Sequence, residues 1–400
     1  MYPYNYRVAI SLEGVKIMKK FTIASIAIFT TITICLIALL IHVINRGGSY
    51  NVSFGFSEAK LVNEQNISLD EISSISIEYH ADDVIFYTSD TNELILKEYM
   101  SFTPDKDQLA SVTKSGDILT IKSDNIRFYI GFIRPATYSR TEVYLPSDYA
   151  GNLSVSTSSG DIDSDLIMQL ASFKASSTSG DIKTNEVNAD EIKLSSASGN
   201  ITSKLFQSLA KFEASSTSGD IKIDEISADH INISTSSGSI ILQKAEGKRQ
   251  FTSTSGDIKI LNGNGDSTAS STSGNITIKN NSGQLKATSS SGDIKITALS
   301  GGGDFKTTSG NINLEFLEDI QTAVEDISIT ASSGDITLKL PSMLSCDFSA
   351  DTSSGDIRTF FDDMLSFNKK GNHAAGTIGD NPDTTIQINT SSGNIHLGKN

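Results

Sequence analysis

The sequence is poor in the residue types from which metal centres and most catalytic sites are built. Its 400 residues include only 2 cysteines, 5 histidines and 6 prolines, and no tryptophan. Cys35 lies in an apolar run and Cys346 stands alone, so neither a disulfide framework nor a cysteine-based metal site is expected. HExxH, GxSxG and P-loop motifs are missing. These absences argue against an enzyme, and we expect no cofactor and no bound metal.

Positive charge is also scarce. The chain has 32 Lys and Arg against 47 Asp and Glu, which gives a formal net charge of −15. Nucleic-acid binders gain most of their affinity by neutralising phosphates, so this balance has the wrong sign and predicts no nucleic-acid partner. Residues 48–400 alone hold 27 basic and 46 acidic residues, so their net charge is −19.

One segment is apolar enough to cross a membrane. Phe21–Ile44 has no acidic or strongly basic residue and would span about 36 Å as a helix, more than the ~30 Å hydrocarbon core. Four basic residues precede it and only Arg46 follows closely, so residues 1–20 should be cytoplasmic and residues after 46 outside. A cleaved signal peptide is the alternative, but the apolar run is too long and no A-x-A-like site follows. We expect an uncleaved, single-pass signal anchor in a bacterial cell membrane.

Translation could also start inside the printed sequence. Met18-Lys19-Lys20 before an apolar run is a common beginning of exported bacterial proteins. Glu13-Gly14-Val15 can be encoded by a purine-rich stretch that resembles a ribosome-binding site. Residues 1–17 are therefore a candidate untranslated segment, and Met1 and Met18 both stay open as the start.

The phrase Ser-Gly-Asp/Asn-Ile recurs through the C-terminal 250 residues, with Ser in place of Asp/Asn in one copy. Twelve copies follow one another at intervals of 18 to 24 residues, except for one interval of 38, and such a period indicates a repeat architecture. The repeat glycines are Gly160, Gly180, Gly199, Gly219, Gly238, Gly256, Gly274, Gly292, Gly310, Gly334, Gly355 and Gly393.

Two apolar columns precede each glycine, seven and five positions before it, with a polar residue between them. This period of two predicts strands with one buried face. The columns compensate in volume: Phe173 and Phe212 are each followed two residues later by Ala, whereas Arg249 and Gly303 are followed by Phe251 and Phe305. Close-packed interiors need such compensation, and disordered Ser-rich sequence would not show it.

The repeat predicts an all-β fold, a parallel β-solenoid (a single-chain β-helix) of about 18–20 residues per coil. A right-handed coil is favoured over a left-handed one. A linker, an irregular cap and the first coils should occupy residues 45–150, and the regular solenoid residues 151–400. Insertions are expected at 315–326, as a short helix, and at 358–383, folding over the end. The core ladder should contain Ile162, Ile182, Ile201, Ile221, Ile258, Ile276 and Ile294.

The glycines and the acidic residues after them should form a structural ladder at a turn, in which glycine adopts a positive φ and Asp bonds to local backbone. The serine directly before each glycine should point inward, and the hydroxyls two and four positions before it outward. Calcium is the alternative for the Asp column, but Asn fills the same position in several copies. The predicted ladder consists of Gly160, Asp161, Gly180, Asp181, Gly219, Asp220, Gly256, Asp257, Gly292 and Asp293.

One apolar cluster lies outside the repeat columns. It is either a cap over the end of the solenoid or an exposed site for a partner. Its residues are Phe360, Phe361, Met364, Leu365 and Phe367.

The repeat resembles that of a bacterial family. Val143-Tyr144-Leu145-Pro146, the phrase ending in Gly160-Asp161-Ile162 and the closing phrase Ile386–Ile395 are similar to those of envelope proteins known as putative adhesins, a β-strand-repeat family of unknown function. The resemblance covers roughly residues 70–397. It implies a β-solenoid, often membrane-anchored and sometimes encoded near envelope-stress regulators, and it brings no catalytic residues.

The leading interpretation is a non-enzymatic, extracytoplasmic β-solenoid that serves as an envelope scaffold or an adhesin-like binding module. Its partners would be the membrane, through one span, and a cell-wall or surface glycan or an envelope protein. An accessory protein of an envelope-stress signalling system is the alternative, and a glycan-active enzyme is a third reading.

The column assignment can be tested by overpacking. Ala175→Phe would place a second large ring beside Phe173 and should cost about 1–3 kcal/mol of unfolding free energy. Thermal or urea unfolding measures this loss. An unchanged melting temperature would contradict the assignment of Ala175 to the interior.

Overall fold

Stacked coils of parallel strands build the described part of the chain. The computed structural model describes residues 58–123, 138–166, 169–318 and 325–400. These residues form 29 strands and one three-residue 3-10 helix, Lys106–Gln108, so the predicted all-β, solenoid-like fold is confirmed. All of them belong to one unit, Phe56–Asn400.

The N-terminal strands precede the regular repeat. They are β1 (Lys60–Ser68), β2 (Ser74–Tyr79), β3 (Asp83–Ser89), β4 (Glu93–Met100), β5 (Ser111–Ser115), β6 (Ile118–Ser123) and β7 (Ser139–Pro146).

The regular strands follow the repeat phrase. They are β8 (Asn152–Thr157), β9 (Ile162–Ser164), β10 (Gln169–Ser177), β11 (Ile182–Ser196), β12 (Ile201–Ser216), β13 (Ile221–Thr235), β14 (Ile240–Ser253), β15 (Ile258–Asn264), β16 (Ser267–Ser271), β17 (Ile276–Ser282), β18 (Leu285–Ser289), β19 (Ile294–Leu299), β20 (Gly303–Ser309) and β21 (Ile312–Phe316).

The C-terminal strands complete the solenoid. They are β22 (Ile327–Ser333), β23 (Ile336–Leu340), β24 (Cys346–Ser354), β25 (Ile357–Thr359), β26 (Leu365–Phe367), β27 (His373–Ile378), β28 (Thr384–Ser392) and β29 (Ile395–Lys399).

Each regular coil has three sides. Face 1 is the segment before the repeat glycine, face 2 the Ile-x-Ile segment after it, and face 3 the segment that leads to the next coil. In β12, residues 201–203, 205–207 and 211–216 pair with β13 as three separate runs, and the breaks between the runs mark the corners. Phe206 on face 3 and Phe212 on face 1 meet inside, with ring centroids 4.8 Å apart. The interior is therefore closed by parallel ladders on three sides.

The repeat glycines are needed because neighbouring coils approach each other closely at this corner. A Cβ on Gly180 would overlap the carbonyl oxygen of Gly160, and a Cβ on Gly219 would overlap that of Gly199. None of the nine repeat glycines from Gly160 to Gly310 has a φ in the left-handed range, so the expected left-handed turn is wrong for them. The absence of a side chain, rather than a special φ, is what this position requires.

The inward hydroxyl of the corner is three residues before the glycine, not one. Ser216 Oγ accepts a hydrogen bond from the Gly219 N–H at 2.9 Å and donates one to the Gly199 carbonyl of the preceding coil at 3.2 Å. Ser218, which the alternation placed inside, is exposed. The strand ends at Ser216, so the inward-outward alternation does not continue to the residue before the glycine. The same pair of bonds recurs at Ser177, Ser196, Thr235, Ser253, Ser271 and Ser289.

The first coils are not stacked in chain order. Strand β2 pairs in parallel with β6 on one side and β8 on the other, and β3 likewise lies between β7 and β9. The coil built from β2 and β3 is therefore sandwiched between two coils that follow it in the chain. Antiparallel β4 covers β7, β1 covers β4, and β5 covers β6. These strands close the edge of the parallel ladders, which would otherwise be open to pairing.

A further copy of the repeat phrase, Ser115-Gly116-Asp117-Ile118, precedes the regular repeats and is not a coil corner. Gly116 and Asp117 form the two-residue turn of the antiparallel β5–β6 hairpin, where Gly116 has a φ of 61°. Ile118, which follows them, is 45% exposed, whereas the isoleucines after the regular glycines are buried. A short phrase can serve both turns because Gly-Asp suits a tight hairpin as well as the corner.

The C-terminal end is interleaved in the same manner. Strand β28 lies between β22 and β24, and β29 lies between β23 and β25. The last segment of the chain therefore forms a coil between two coils that both precede it in the sequence. Residues 358–383 explain the long interval between Gly355 and Gly393, because they supply β26 and β27. Strand β27 covers β24 in antiparallel order, and β26 in turn pairs with β27.

The break in the apolar column at Arg249 is a buried guanidinium. The side chain is 2% exposed and donates hydrogen bonds to the carbonyls of Ala245 and Gly265 and to Asn281 Oδ1. Burial lowers its pKa to about 10. Ala245, Gly263 and Asn281 follow one another in the facing column, and their small volume makes room for the guanidinium.

Two expectations fall wholly or partly outside the described residues. None of the described helices could cross a bilayer, and the predicted span 21–44 is not among the described residues. Of the helix expected at 315–326, Glu315 and Phe316 belong to β21 instead, and residues 319–324 are not described.

The corner can be tested with two serines of one coil. Ser216→Ala removes the partner of the Gly219 N–H and should cost about 1–3 kcal/mol, because a buried donor is left unpaired. Ser218→Ala, at the exposed position, is the control and should stay within about 0.5 kcal/mol of wild type. Urea denaturation measures both. A larger loss for Ser218→Ala than for Ser216→Ala would overturn the corner geometry.

Candidate functional site

The side chains of the predicted turn ladder link successive coils by hydrogen bonds. Asp161 Oδ1 accepts the Asp181 N–H at 2.7 Å, Asp181 Oδ1 accepts the Asn200 N–H, and Asn200 Oδ1 accepts the Asp220 N–H. Each side chain therefore bonds to the next coil rather than to its own turn. Asn provides the same acceptor as Asp, which explains their exchange along the column. Among the described residues, no group of three or more His, Cys, Asp or Glu could hold a metal ion.

The remaining members of the ladder lie in the same corner. Asp257 and Asp293 accept the amides of Asn275 and Asn311, and the column continues through Asp335 to Asn394. A Cβ on Gly256 or Gly292 would overlap the carbonyl of the preceding coil's glycine. The core-ladder isoleucines are all fully buried: Ile162, Ile182, Ile201, Ile221, Ile258, Ile276 and Ile294.

The apolar cluster near the C-terminus lies at the cap over β24. Leu365 is buried and Phe361 packs partly against the core, so these two hold the cap in place. Phe360 is 69% exposed and Met364 53%, and Phe367 is also exposed. Phe360 and Phe361 meet edge to face, with centroids 5.8 Å apart. The cluster thus contains both the cap and an exposed apolar surface.

A groove that the sequence reasoning missed lies on face 2 near the N-terminal end. Its volume is about 620 Å³, and it runs across five coils, from β3 to β13. Two outward columns line it. One column contains Ile85, Asp163, Lys183, Thr202 and Lys222, and the other contains Tyr87, Asp165, Asn185, Lys204 and Asp224.

The charges of the groove balance. Three lysines and three aspartates line it, so it has no net charge although the chain as a whole is acidic. Lys183 Nζ lies 3.9 Å from Asp161 and 4.0 Å from Asp181, and Lys222 Nζ 3.3 Å from Asp220, so two of the lysines reach toward the corner ladder. Burial raises the pKa of the Asp163 carboxyl, and Lys183 opposes that shift.

Tyrosine forms one end wall of the groove. Tyr87 stacks on Tyr144 of the neighbouring strand, with centroids 5.0 Å apart and an interplanar angle of 27°. The Tyr144 hydroxyl donates to Glu142 Oε2 at 3.0 Å, and burial with that carboxylate raises the pKa of Tyr144 to about 12. Lys97 Nζ lies 5.4 Å from the Tyr144 ring centroid. Tyr144 is therefore held in place and supports one face of Tyr87, whose remaining surface borders the groove.

Small polar side chains lie beneath the floor. Ser164, Thr184 and Ser203 are buried in the inward column of face 2, and their hydroxyls have no hydrogen-bond partner. The same column holds Phe86 before them and Ile223, Leu242 and Ile260 after them. Three small residues in succession fill less volume beneath the sheet than the Phe, Ile and Leu side chains of the neighbouring coils. We infer that the groove above them is a depression caused by this smaller volume. The sequence signal for the groove was therefore available: four residues after the repeat glycine, these three coils have Ser or Thr where the next coils have Ile or Leu.

The lining of the groove determines which chemistry is available there. Its lining contains no histidine and no cysteine, so no hydroxyl in it has an imidazole to activate it. Asp163 and Asp165 both rise from the same floor, whereas the carboxylates of glycosidases flank the scissile bond from opposite sides. Carboxylate, amide, ammonium and hydroxyl groups beside an aromatic wall are suited to hydrogen bonding and stacking.

Two solved structures are similar to this chain. A putative cell adhesion protein from Clostridium sporogenes shares 8% identity, with 86% of this chain and 100% of that chain covered and a TM-score of 0.21. A putative adhesin from Bacteroides fragilis shares 17% identity, with 60% and 96% covered and a TM-score of 0.32. At these scores, neither carries an argument about function. No curated protein matches the sequence.

The family is established by the sequence match. The pattern of the Toastrack DUF4097 family matches residues 72–284 and residues 265–398. The resemblance indicated by the repeat phrase is thereby confirmed at the level of the family. Since the two matches together span residues 72–398, far more than half of the sequence, the chain belongs to the Toastrack DUF4097 family.

Proposed function

We propose that the protein is a non-enzymatic, adhesin-like binding module of the bacterial cell envelope. In this proposal Phe21–Ile44 anchors it in the membrane, the solenoid is extracytoplasmic, and the groove on face 2 binds the partner. The observation that carries the proposal is the groove itself, because it combines an aromatic wall with a charge-balanced polar floor and lacks an activated nucleophile. The flanking charges of Phe21–Ile44 support the orientation.

A second candidate function rests on the cap. Phe360, Met364 and Phe367 expose apolar area at the C-terminal end, which fits contact with another envelope protein, as an accessory of a stress-signalling system would need. That function would be lost on substitution of the cap residues and unaffected by substitutions in the groove. Variants of the two surfaces therefore distinguish the two candidate functions.

The orientation can be tested with one introduced thiol. Met343 is 91% exposed, whereas the native Cys346 is buried, and burial raises the pKa of its thiol to about 12. A membrane-impermeant maleimide should therefore label the full-length Met343→Cys chain in intact cells. The unsubstituted chain is the control and should stay unlabelled in intact cells, because Cys346 is buried and Cys35 lies within the proposed membrane span. Labelling of Met343→Cys only after lysis would show that the solenoid is not outside.

The binding function can be tested with isolated cell walls. Full-length protein in lipid nanodiscs should co-sediment with them, and the double variant Tyr87→Ala, Lys204→Ala should be retained at least about tenfold less, which corresponds to about 1.4 kcal/mol. Lys279→Ala is the matched control, because Lys279 lies in the same outward column beyond the groove. If wild type and the double variant are retained equally, or neither is retained, the groove is not the binding surface for the wall.

A further inference from the structure

We propose that the groove on face 2 binds a neutral oligosaccharide in an extended conformation, laid along the axis of the coils. This inference rests on the proposed function and deepens it by naming the ligand class. It is drawn from the repeat distance of the floor, the tyrosine wall, the charge balance and the paired state of the strands beneath.

The floor offers the same kind of contact at regular steps. Adjacent coils are about 4.8 Å apart, so the five coils from β3 to β13 extend over about 19 Å. One step is close to the length of a pyranose ring along an extended glycan. Each coil presents at least one hydrogen-bonding side chain from the two columns, such as Asp165, Asn185 or Lys204. A polymer with hydroxyls on every unit can use these contacts in succession.

The wall supplies the other half of a saccharide site. The C–H face of a sugar ring packs on a flat aromatic ring, and a tyrosine adds a polar edge. Tyr87 borders the groove, and Tyr144 fixes its orientation by stacking from behind. The ring is therefore oriented before a ligand arrives, which reduces the entropy cost of binding.

The charge pattern favours a neutral ligand. A polyanion would meet Asp163, Asp165 and Asp224 in the groove and a solenoid of strongly negative net charge around it. A polycation would meet Lys183, Lys204 and Lys222 on the three successive strands β11, β12 and β13. A neutral ligand avoids both repulsions, because the ammonium groups can donate to its hydroxyls and the carboxylates can accept from them.

The paired strands disfavour an extended peptide. Peptides that bind to sheets usually add a strand at a free edge and bond through their backbone. The floor strands β9, β11 and β12 each have parallel partners on both sides, so their backbone groups on face 2 are already used. Only side chains face the groove, and these suit a ligand that bonds through hydroxyls.

The test uses full-length protein in nanodiscs and soluble probes. Isothermal titration with chitohexaose, cellohexaose and maltohexaose should give saturable binding of at least one, with little dependence on added salt. Tyr87→Ala should weaken that binding by roughly tenfold or more, and Tyr87→Phe, which keeps the ring, should stay within about threefold of wild type. Lys204→Ala should weaken binding, whereas Lys279→Ala, in the same column outside the groove, should not.

The contrary results are distinct. The proposal is wrong if none of the three oligosaccharides binds, if polygalacturonate or a decapeptide binds in their place, or if Tyr87→Ala and Lys204→Ala bind as wild type does. Should Tyr87→Ala fail to fold, Lys204→Ala against Lys279→Ala still decides. Retention on cell walls that depends on the groove, without binding of any oligosaccharide, would leave the proposed function standing and refute the ligand class.

Discussion

The close approach of coils at the glycine corner is the contact on which the rest of the structure depends. Each repeat glycine lies against the carbonyl of the glycine in the coil before it, and a buried hydroxyl three residues earlier bonds to both coils. The Asx side chain beside it bonds forward to the following coil. The two hydrogen bonds of the hydroxyl and the one of the Asx side chain thus set the spacing and the register of the coils at one corner. The same register aligns the apolar columns on the three faces.

The architecture was predictable from the sequence because it depends on a period. The columns before the glycines and the isoleucines after them alternate as half-buried strands must, and the structure buries the members that were assigned inside, such as Phe173 and Ala175. Alternation failed where the strand stops: Ser218 is exposed and Ser216 is buried. The reason is geometric, since period-two reasoning holds only as long as the backbone remains extended.

The ends and the groove were harder to foresee for different reasons. The interleaving of β2 with β6 and β8 pairs residues far apart in the chain, and no local pattern encodes which coil lies between which. The groove depends on a deviation from the repeat, at Ser164, Thr184 and Ser203, rather than on the repeat itself. Its aromatic wall comes from Tyr87 and Tyr144, which the chain places 57 residues apart and the sheet brings together.

The interleaved ends have a consequence for how this solenoid can change its length. Both outermost coils are held by a neighbour from elsewhere in the chain and are covered by antiparallel strands. The central coils from β14 to β21 repeat every 18 residues, with one register irregularity between Ile296 and Leu299. Their ladder partners are neighbouring coils and not the covering strands. Duplication or loss of one 18-residue unit there would lengthen or shorten the solenoid by one coil and leave both ends intact. Gene rearrangement can therefore adjust the reach of the molecule in discrete increments, while the groove near the N-terminal end keeps its shape.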